Sequence, residues 1–272
     1  MTFLGAECLS CRGTIEVDPP LMGNKWESLP DEDPELSKIT IIVPTLNEEA
    51  NIDLLLERIF RVSRSSHLEF DVLFVDSGSK DRTCERVRAW QDREPVRLLR
   101  QDVNLGLAGA VLAGARVTDA AFVVVMDADL SHPPEAIPGL LQPLLAGTDD
   151  MVIGSRYVAG GSLPDWPLSR KLSSCLATFL ALFFCDVRDP LAGFFALERR
   201  RLVELPGTVP GFKIGLAVLA EYGGDMRVKE IPIEFRNRNY GESKMDRRVA
   251  FEYLQQLLDL TIRRLTKRWC KK

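Results

Sequence analysis

Histidine is almost missing from this chain: only His67 and His132 are present. Zinc centres are built from sets of Cys and His, so the lone Cys8-Leu9-Ser10-Cys11 pair has no second half to complete one. The six cysteines, Cys8, Cys11, Cys84, Cys175, Cys185 and Cys270, form no disulfide framework, which places the protein in a reducing compartment. No signal peptide opens the chain. Long apolar runs are also lacking. The longest, Cys175 to Cys185 (CLATFLALFFC), falls far short of the ~20 residues a bilayer span requires. An excess of positive charge is absent too. The net charge is −4, which argues against a general nucleic-acid binder. These absences together lead us to expect a cytoplasmic protein.

What is present is an ordinary globular composition. Of 272 residues, 46% are hydrophobic and 27% charged, enough to bury a sizeable core. The charge is uneven. Glu7, Glu16, Asp18, Glu27, Asp31, Glu32, Asp33 and Glu35 crowd the start; Arg247, Arg248, Arg263, Arg264, Lys267, Arg268, Lys271 and Lys272 crowd the end. Residues 1–37 have few periodic apolar positions and many Pro, Asp and Glu. They read as a flexible acidic extension. The body runs from 38 to 245, and 246–272 form a basic, amphipathic tail.

From Lys38 a rhythm begins. ITIIVPT, FDVLFVDSGS, VRLLRQ, AFVVVMDAD and MVIGSRY read as strands. Between them, apolar positions 52, 55, 56, 59 and 60 make one helical stripe, and DRTCERVRAWQDR and LAGAVLAGARV make further helices. Strand–helix alternation predicts an α/β fold with a mainly parallel sheet covered on both faces.

Such sheets bind ligands beyond the carboxyl ends of their strands. Three ends carry polar residues: Pro44-Thr45-Leu46-Asn47-Glu48, Asp76-Ser77-Gly78-Ser79 and Asp127-Ala128-Asp129. Residues two apart in an extended segment face the same side, so Asp127 and Asp129 can meet one ligand. Two adjacent carboxylates repel unless a cation lies between them. A hard divalent ion with oxygen ligands and substrate phosphates answers this need, so the pair predicts a metal–diphosphate site.

The segments IIVPTLNEEANI, VDSGSKDRT, DADLSHPPE, GSRY, DPLAGFFALER and NRNYGESKM, in this order, resemble family 2 glycosyltransferases. More narrowly, residues 38–258 are similar to polyprenol-phosphate sugar transferases of the dolichol-phosphate mannosyltransferase type. The resemblance implies a GT-A fold, a Rossmann-like nucleotide-sugar domain. It implies that Asp127 and Asp129 hold Mg²⁺ or Mn²⁺ against the diphosphate. Pro44, Asn47, Glu48, Asp76, Ala128 and the stretch Asn104 to Ala108, with Gly106 and Leu107, would line the nucleotide-sugar pocket. Two departures stand out: Ser77 replaces a common second Asp, and Ala217 stands where relatives often carry Glu. Lys213 and Glu221 nearby read as solvated helix charges.

The implied acceptor is a phosphate on a long isoprenoid. WPLSRKLSSCLATFLALFFC joins a cationic, hydroxyl-bearing start to an apolar stretch, and Arg170 and Ser174 lie four apart on one helical face. Arginine grips phosphate through a planar fork. Arg156, Arg170 and Arg238 are therefore expected to hold the attacking phosphate beside Asp129, with Ser174 and Lys244 assisting. In the tail, positions 251, 254, 258, 262, 265 and 269 form one apolar stripe. The stripe either packs on the domain or lies in a membrane interface against anionic lipid. The expected activity is metal-dependent, inverting transfer of mannose from GDP-mannose to a polyprenyl phosphate. It would take place on the cytoplasmic face of a membrane, with a membrane-protein partner or the lipid surface itself as anchor. Two alternatives stay open. One is UDP-glucose or UDP-amino-sugar transfer to the same acceptor. The other is a non-catalytic scaffold that binds nucleotide sugar.

Overall fold

The computed structural model describes residues 15–18, 39–164, 166–205, 213–237 and 247–270. Among the described residues eight strands form one sheet: β1 (Ile15–Asp18), β2 (Ile39–Thr45), β3 (Asp71–Asp76), β4 (Val96–Gln101), β5 (Phe122–Val125), β6 (Met151–Ser155), β7 (Phe195–Glu198) and β8 (Val228–Pro232). Their order across the sheet is β1-β4-β3-β2-β5-β7-β6-β8. The central run β4-β3-β2-β5 is parallel, as is β6 with β8, whereas β1 and β7 pair antiparallel to their neighbours. The sequence rhythm anticipated the parallel run. It did not anticipate β7, a four-residue strand wedged between β5 and β6. Nor did it anticipate β1. Within the stretch expected to be a flexible extension, Ile15–Asp18 adds to the edge of β4; the rest of that stretch lies outside the described residues.

Eight α-helices accompany the sheet: α1 (Ile52–Ser66), α2 (Thr83–Gln91), α3 (Gly106–Val117), α4 (Ile137–Leu145), α5 (Leu168–Ala181), α6 (Arg199–Val203), α7 (Ile214–Tyr222) and α8 (Arg247–Cys270). Alternation along each strand divides the core in two. Ile41, Val43, Val72, Phe74, Leu98 and Val124 face α1, α2 and α4. Ile42, Leu73, Val75, Leu99, Val123 and Val125 face α3, α6 and α7. The period of two therefore assigns each strand residue to one helical layer. The α1 stripe is fully realised: Ile52, Leu55, Leu56, Ile59 and Phe60 are all buried. Helix α3 comes close to the sheet through Gly114, where a Cβ would lie 2.9 Å from Ile42 Cγ2 and 3.1 Å from Val75 Cγ2. A third, smaller core joins α5, α7 and α8 through Ala181, Leu191, Leu216, Tyr253 and Leu260.

Strand order reverses beside β2: α1 leads to β3 on one side, while β5 lies on the other. Ligand crevices in open α/β sheets form at such switch points. The ends of β2, β3 and β5 all open there.

Candidate active site

The first wall of the crevice is a lattice of side chain-to-backbone bonds. Asp76, fully buried, accepts the amides of Gly78 (3.1 Å) and Ser79 (3.0 Å) and the Ser79 hydroxyl. Gly78 sits at φ +89°, a conformation that suits a residue without Cβ. Asn47 at φ 58° crosses to the same turn: its amide donates to Ser79 Oγ and its Oδ1 accepts the Lys80 amide, both at 2.8 Å. The Glu48 amide donates to Thr83 Oγ1 at 2.8 Å, while its carboxylate accepts Asn51 Nδ2 at 2.7 Å. Asp76, Asn47 and Glu48 thus build the wall between the ends of β2 and β3. Pro44 lies in β2, opposite Val75. Ser77, the departure from the family pattern, reaches Gln101 Oε1 at 3.4 Å. At the start of α3, Asn104 Oδ1 accepts the Gly106 amide at 2.9 Å, and Gly106 is exposed at φ +71°. Leu107 packs against the α3 core layer.

The carboxylate pair differs in one respect from expectation. Strand β5 stops at Val125, so Asp127-Ala128-Asp129 occupies a turn and not an extended segment. Leu130 follows at φ 63°, an uncommon value for a residue with a side chain. Asp127 Oδ2 lies 3.9 Å from His132 Nδ1, and both carboxylates are within electrostatic reach of that ring. Asp127 remains part-exposed, whereas Asp129 is buried and accepts the Ser131 amide at 3.0 Å. His132 was not among the expected site residues. It is buried, stacked on Phe194 (5.2 Å) and edge-on to Phe235 (5.5 Å). Its Nδ1 accepts the Asp127 amide at 3.0 Å. That bond leaves the proton on Nε2. Burial also pushes the imidazole pKa down, against the pull of Asp127 and Asp129. His132 is therefore a neutral support for the Asp127 backbone.

Among the described residues no cluster of three or more His, Cys, Asp or Glu forms that could enclose a metal ion. Two carboxylates beside a diphosphate need no such enclosure, since Mg²⁺ and similar ions keep waters and take substrate oxygens. Ser131 adds an oxygen here, for its Oγ is buried without a hydrogen-bond partner. The donor set of Asp127, Asp129 and Ser131 is all oxygen and fits a hard divalent cation.

Arg156 follows β6 and is locked in place by Asp189. Its amide and Nε donate to Asp189 Oδ2 (2.9 and 2.8 Å), and its Nη2 donates to Oδ1 (2.7 Å). Burial works against the guanidinium charge, but the Asp189 carboxylate outweighs it and holds the pKa above the ordinary arginine value. Asp189 is itself held by Glu230 of β8, whose carboxylate accepts the amides of Arg188 (2.8 Å) and Asp189 (2.9 Å). Asp189 opens the DPLAGFF stretch and was not among the expected site residues. Its signal was an acid followed by Pro in a run that otherwise reads as core.

Arg156 also lies over Phe235 (5.4 Å) and Tyr157 (5.3 Å), and Arg170 over Trp166 (4.1 Å). Trp166 meets Phe235 edge-on at 5.9 Å. Ser174 Oγ lies 3.1 Å from Tyr157 Oη. An aromatic floor of Tyr157, Trp166 and Phe235 thus brings Arg156, Arg170 and Ser174 together beside His132 and the carboxylates. Arg238 and Lys244 lie outside the described residues. Lys213, expected to be a solvated helix charge, instead donates from Nζ to Leu191 O at 2.9 Å. Ala217 is buried one turn further along α7.

A Rossmann-like half-sheet with an acidic turn at its switch point and two arginines opposite defines a GT-A-like α/β fold. The family described as Glycosyl transferase family 2 matches residues 40–220, and the chain belongs to that family. It is 39% identical to the dolichol-phosphate mannosyltransferase of Pyrococcus furiosus over 228 residues, 82% of this chain and 63% of that protein. The match thus spans less than two thirds of that relative's length. The enzyme of the same name from Saccharomyces cerevisiae is 36% identical over 82% of this chain and 86% of its own. Among solved structures, glucosyl-3-phosphoglycerate synthase from Mycobacterium tuberculosis with phosphoglyceric acid superposes at TM-score 0.60 and 24% identity, covering 81% of this chain and 80% of that one. The same enzyme with Mn²⁺, UDP-glucose and phosphoglyceric acid superposes at 0.59 and 22% identity, covering 85% and 86%. These two likenesses concern the fold.

Proposed function

We propose that the protein transfers mannose from GDP-mannose to the phosphate of a polyprenol such as dolichol, with inversion at the anomeric carbon. The observation that carries this reading is the juxtaposition of Arg156, Arg170 and Ser174 with the carboxylate turn, at the start of a helix whose outer face is apolar. Helix α5 exposes Leu168, Leu172, Leu176 and Phe179 along one stripe, and Phe183 is exposed in the turn that follows it. A phosphate held by the arginines can thus leave its isoprenoid tail along that stripe. The named relatives from Pyrococcus, Mycosarcoma and Saccharomyces support the choice of sugar and acceptor.

The chemistry asks little proton transfer of the protein. A phosphate monoester loses its second proton near pH 6, so the acceptor is already a nucleophile at neutral pH. Catalysis then rests on positioning and charge. Arg156 and Arg170 hold the acceptor oxygens, and the Ser174 hydroxyl donates to them. The β2–β3 wall of Asn47, Glu48 and Asp76, with Pro44, Gly106 and Leu107 nearby, holds the nucleoside. Asp127, Asp129 and Ser131 would hold Mg²⁺ or Mn²⁺, which when bound neutralises charge on the departing diphosphate. Arg238 and Lys244 complete the acceptor set in this reading.

The exposed apolar faces support a membrane location. Among the described residues no helix is long and apolar enough to cross a membrane. Of the α8 stripe, Phe251, Leu254, Leu258 and Ile262 are exposed and face outward. In this reading the outer faces of α5 and α8 lie on the cytoplasmic surface of a membrane, alone or beside a membrane-protein partner.

The test is transfer by purified protein from a panel of labelled nucleotide sugars to a polyprenyl phosphate, with Mn²⁺ or with chelator. Mannosyl lipid formed from GDP-mannose only in the presence of metal is the expected result. Product from UDP-glucose or a UDP-amino sugar instead would replace the donor. Binding without turnover on every donor would leave a scaffold.

A further inference from the structure

The inner face of α8 carries one residue that an apolar helix contact does not call for. Tyr253, Leu257 and Leu260 pack there against α5 and α7, and between them lies Gln256, fully buried. A buried carboxamide is costly unless both its ends are bonded. Here both ends go to the same residue. Gln256 Nε2 donates to Lys213 O at 2.8 Å, and Lys213 N donates to Gln256 Oε1 at 3.3 Å. Lys213 O also accepts the Ala217 amide at 3.2 Å, the first bond of α7. The carboxamide thus grips the backbone where α7 begins.

The side chain of Lys213 leads from this grip to the site. Its ammonium donates to Leu191 O at 2.9 Å. Leu191 belongs to the segment that begins with Asp189, the partner of Arg156. Two residues on, a Cβ built at Gly193 would lie 3.2 Å from His132 Cε1 and 3.6 Å from Asp127 Oδ2. The same short segment therefore bonds Arg156 and Lys213 and passes close to His132 and Asp127. Desolvation pushes the Lys213 pKa down to about 8, and Arg156 adds to this while Asp127 and Asp189 oppose it.

We infer that Gln256 is a positioning residue: it fixes the backbone of Lys213 so that the ammonium stays on the Leu191 carbonyl, in the segment that holds Arg156 and passes the carboxylate turn, as a further cation for the phosphates handled there. The inference rests on the reading of the site as one that binds a diphosphate and an acceptor phosphate. Helix α8 then has two faces with two tasks. Its outer stripe is free to meet lipid, and its buried glutamine ties the helix to an active-site cation.

Two measurements on the full chain test this. In the first, surface lysines are acetylated with acetic anhydride and the rate at Lys213 is followed by peptide mass spectrometry, with exposed Lys80 and Lys171 as internal references. Gln256→Met keeps length and removes both polar atoms. It should raise the Lys213 rate relative to the references by about threefold or more, as a held group becomes locally free. Gln256→Glu keeps the volume and the acceptor, and serves if the Met variant does not fold; it should raise the rate less. An unchanged rate in a folded variant overturns the inference.

In the second, transfer from GDP-mannose to a short-chain polyprenyl phosphate is measured with Mn²⁺, below the melting onset of each variant. Gln256→Met should lower kcat/KM for the acceptor about tenfold, and should add nothing in a Lys213→Met background. Effects that multiply in the double variant would mean that Gln256 does not act through Lys213, and would overturn the inference as well. A wild-type protein inactive on every donor sinks the proposed transfer reaction instead, while the acetylation rates still decide the link between Gln256 and Lys213.

Discussion

At the scale of residues, the site depends on charges held where they are costly to hold. Asp189 is fully buried and Arg156 nearly so, and each satisfies the other. Removing one partner of such a pair leaves a buried charge uncompensated. Asp189→Ala should therefore destabilise the fold by roughly 3–5 kcal/mol, read by urea unfolding. Asp189→Asn should cost less stability and still reduce transfer, because it weakens the fork that orients Arg156. An unshifted midpoint for Asp189→Ala would show that Arg156 finds another partner. Asp129→Asn separates charge from shape in the acidic turn. It should lower transfer by roughly two to three orders of magnitude, and should weaken GDP-mannose binding only when Mg²⁺ or Mn²⁺ is present. Equal binding losses with and without the ion, in calorimetry, would assign Asp129 to the sugar and not to the metal.

At the scale of elements, the question is what the α5–α8 pair does with its apolar outer surface. The two helices are clasped to each other: Tyr253 Oη donates to Ala177 O at 2.7 Å, and Arg264 donates to Phe183 O. Arg263 is paired with Asp259 at 2.6 Å. Two of the basic residues expected to attract anionic lipid are thus occupied within the protein. Each basic residue near an anionic surface contributes about 1 kcal/mol, so the electrostatic share of vesicle binding should be smaller than the tail's composition suggests. Apolar insertion should carry more of it. Replacing Leu172, Phe179, Leu258 and Ile262 together by Ser should abolish co-sedimentation with anionic vesicles and leave the melting temperature nearly unchanged, since none of the four is buried. Raising salt from 0.1 to 1 M shortens the Debye length from about 10 to about 3 Å, and should weaken wild-type binding without ending it. Binding that vanishes in 1 M salt would mean that charge, and not the stripe, is the anchor.

At the scale of the whole molecule, the junction before β6 and β8 is one place where stability should respond to acid. Asp150, just before β6, accepts from Arg227, just before β8, through the backbone amide (2.8 Å) and the guanidinium (3.0 Å), and Arg201 of α6 lies at 3.7 Å. The Arg227 hydrogen bonds, foremost the side-chain one, hold its carboxyl below the ordinary value. A depressed folded pKa means a contribution that is complete above the unfolded value of about 4 and is lost as pH falls through the folded value. Wild-type stability should therefore fall below about pH 4, and Asp150→Asn should fall less steeply across that window when urea midpoints are compared. Parallel curves would show that other carboxylates dominate acid unfolding.

The amino-acid sequence by itself determined the α/β plan and the position of the acidic pair. Period-two and period-3.6 patterns are local, and a strand such as Ile39–Thr45 needs only its own residues to declare two buried faces. The family motif GSRY pointed to Arg156, and helical spacing pointed to Arg170 and Ser174, for the same reason: both are local patterns. Tertiary structure alone decided what lies between them. Strand β7 is too short to announce itself, and becomes a strand because β5 and β6 offer it edges on both sides. Asp189, Trp166 and Phe235 are far apart in the chain, and only the tertiary fold gathers them around Arg156 and Arg170. The apolar stripe of α8 was legible, but its direction was not. Both faces of that helix carry apolar residues, and it is Gln256, Tyr253 and Leu260, satisfied by Lys213, Ala177 and the third core, that turn inward and leave Leu258 and Ile262 outside.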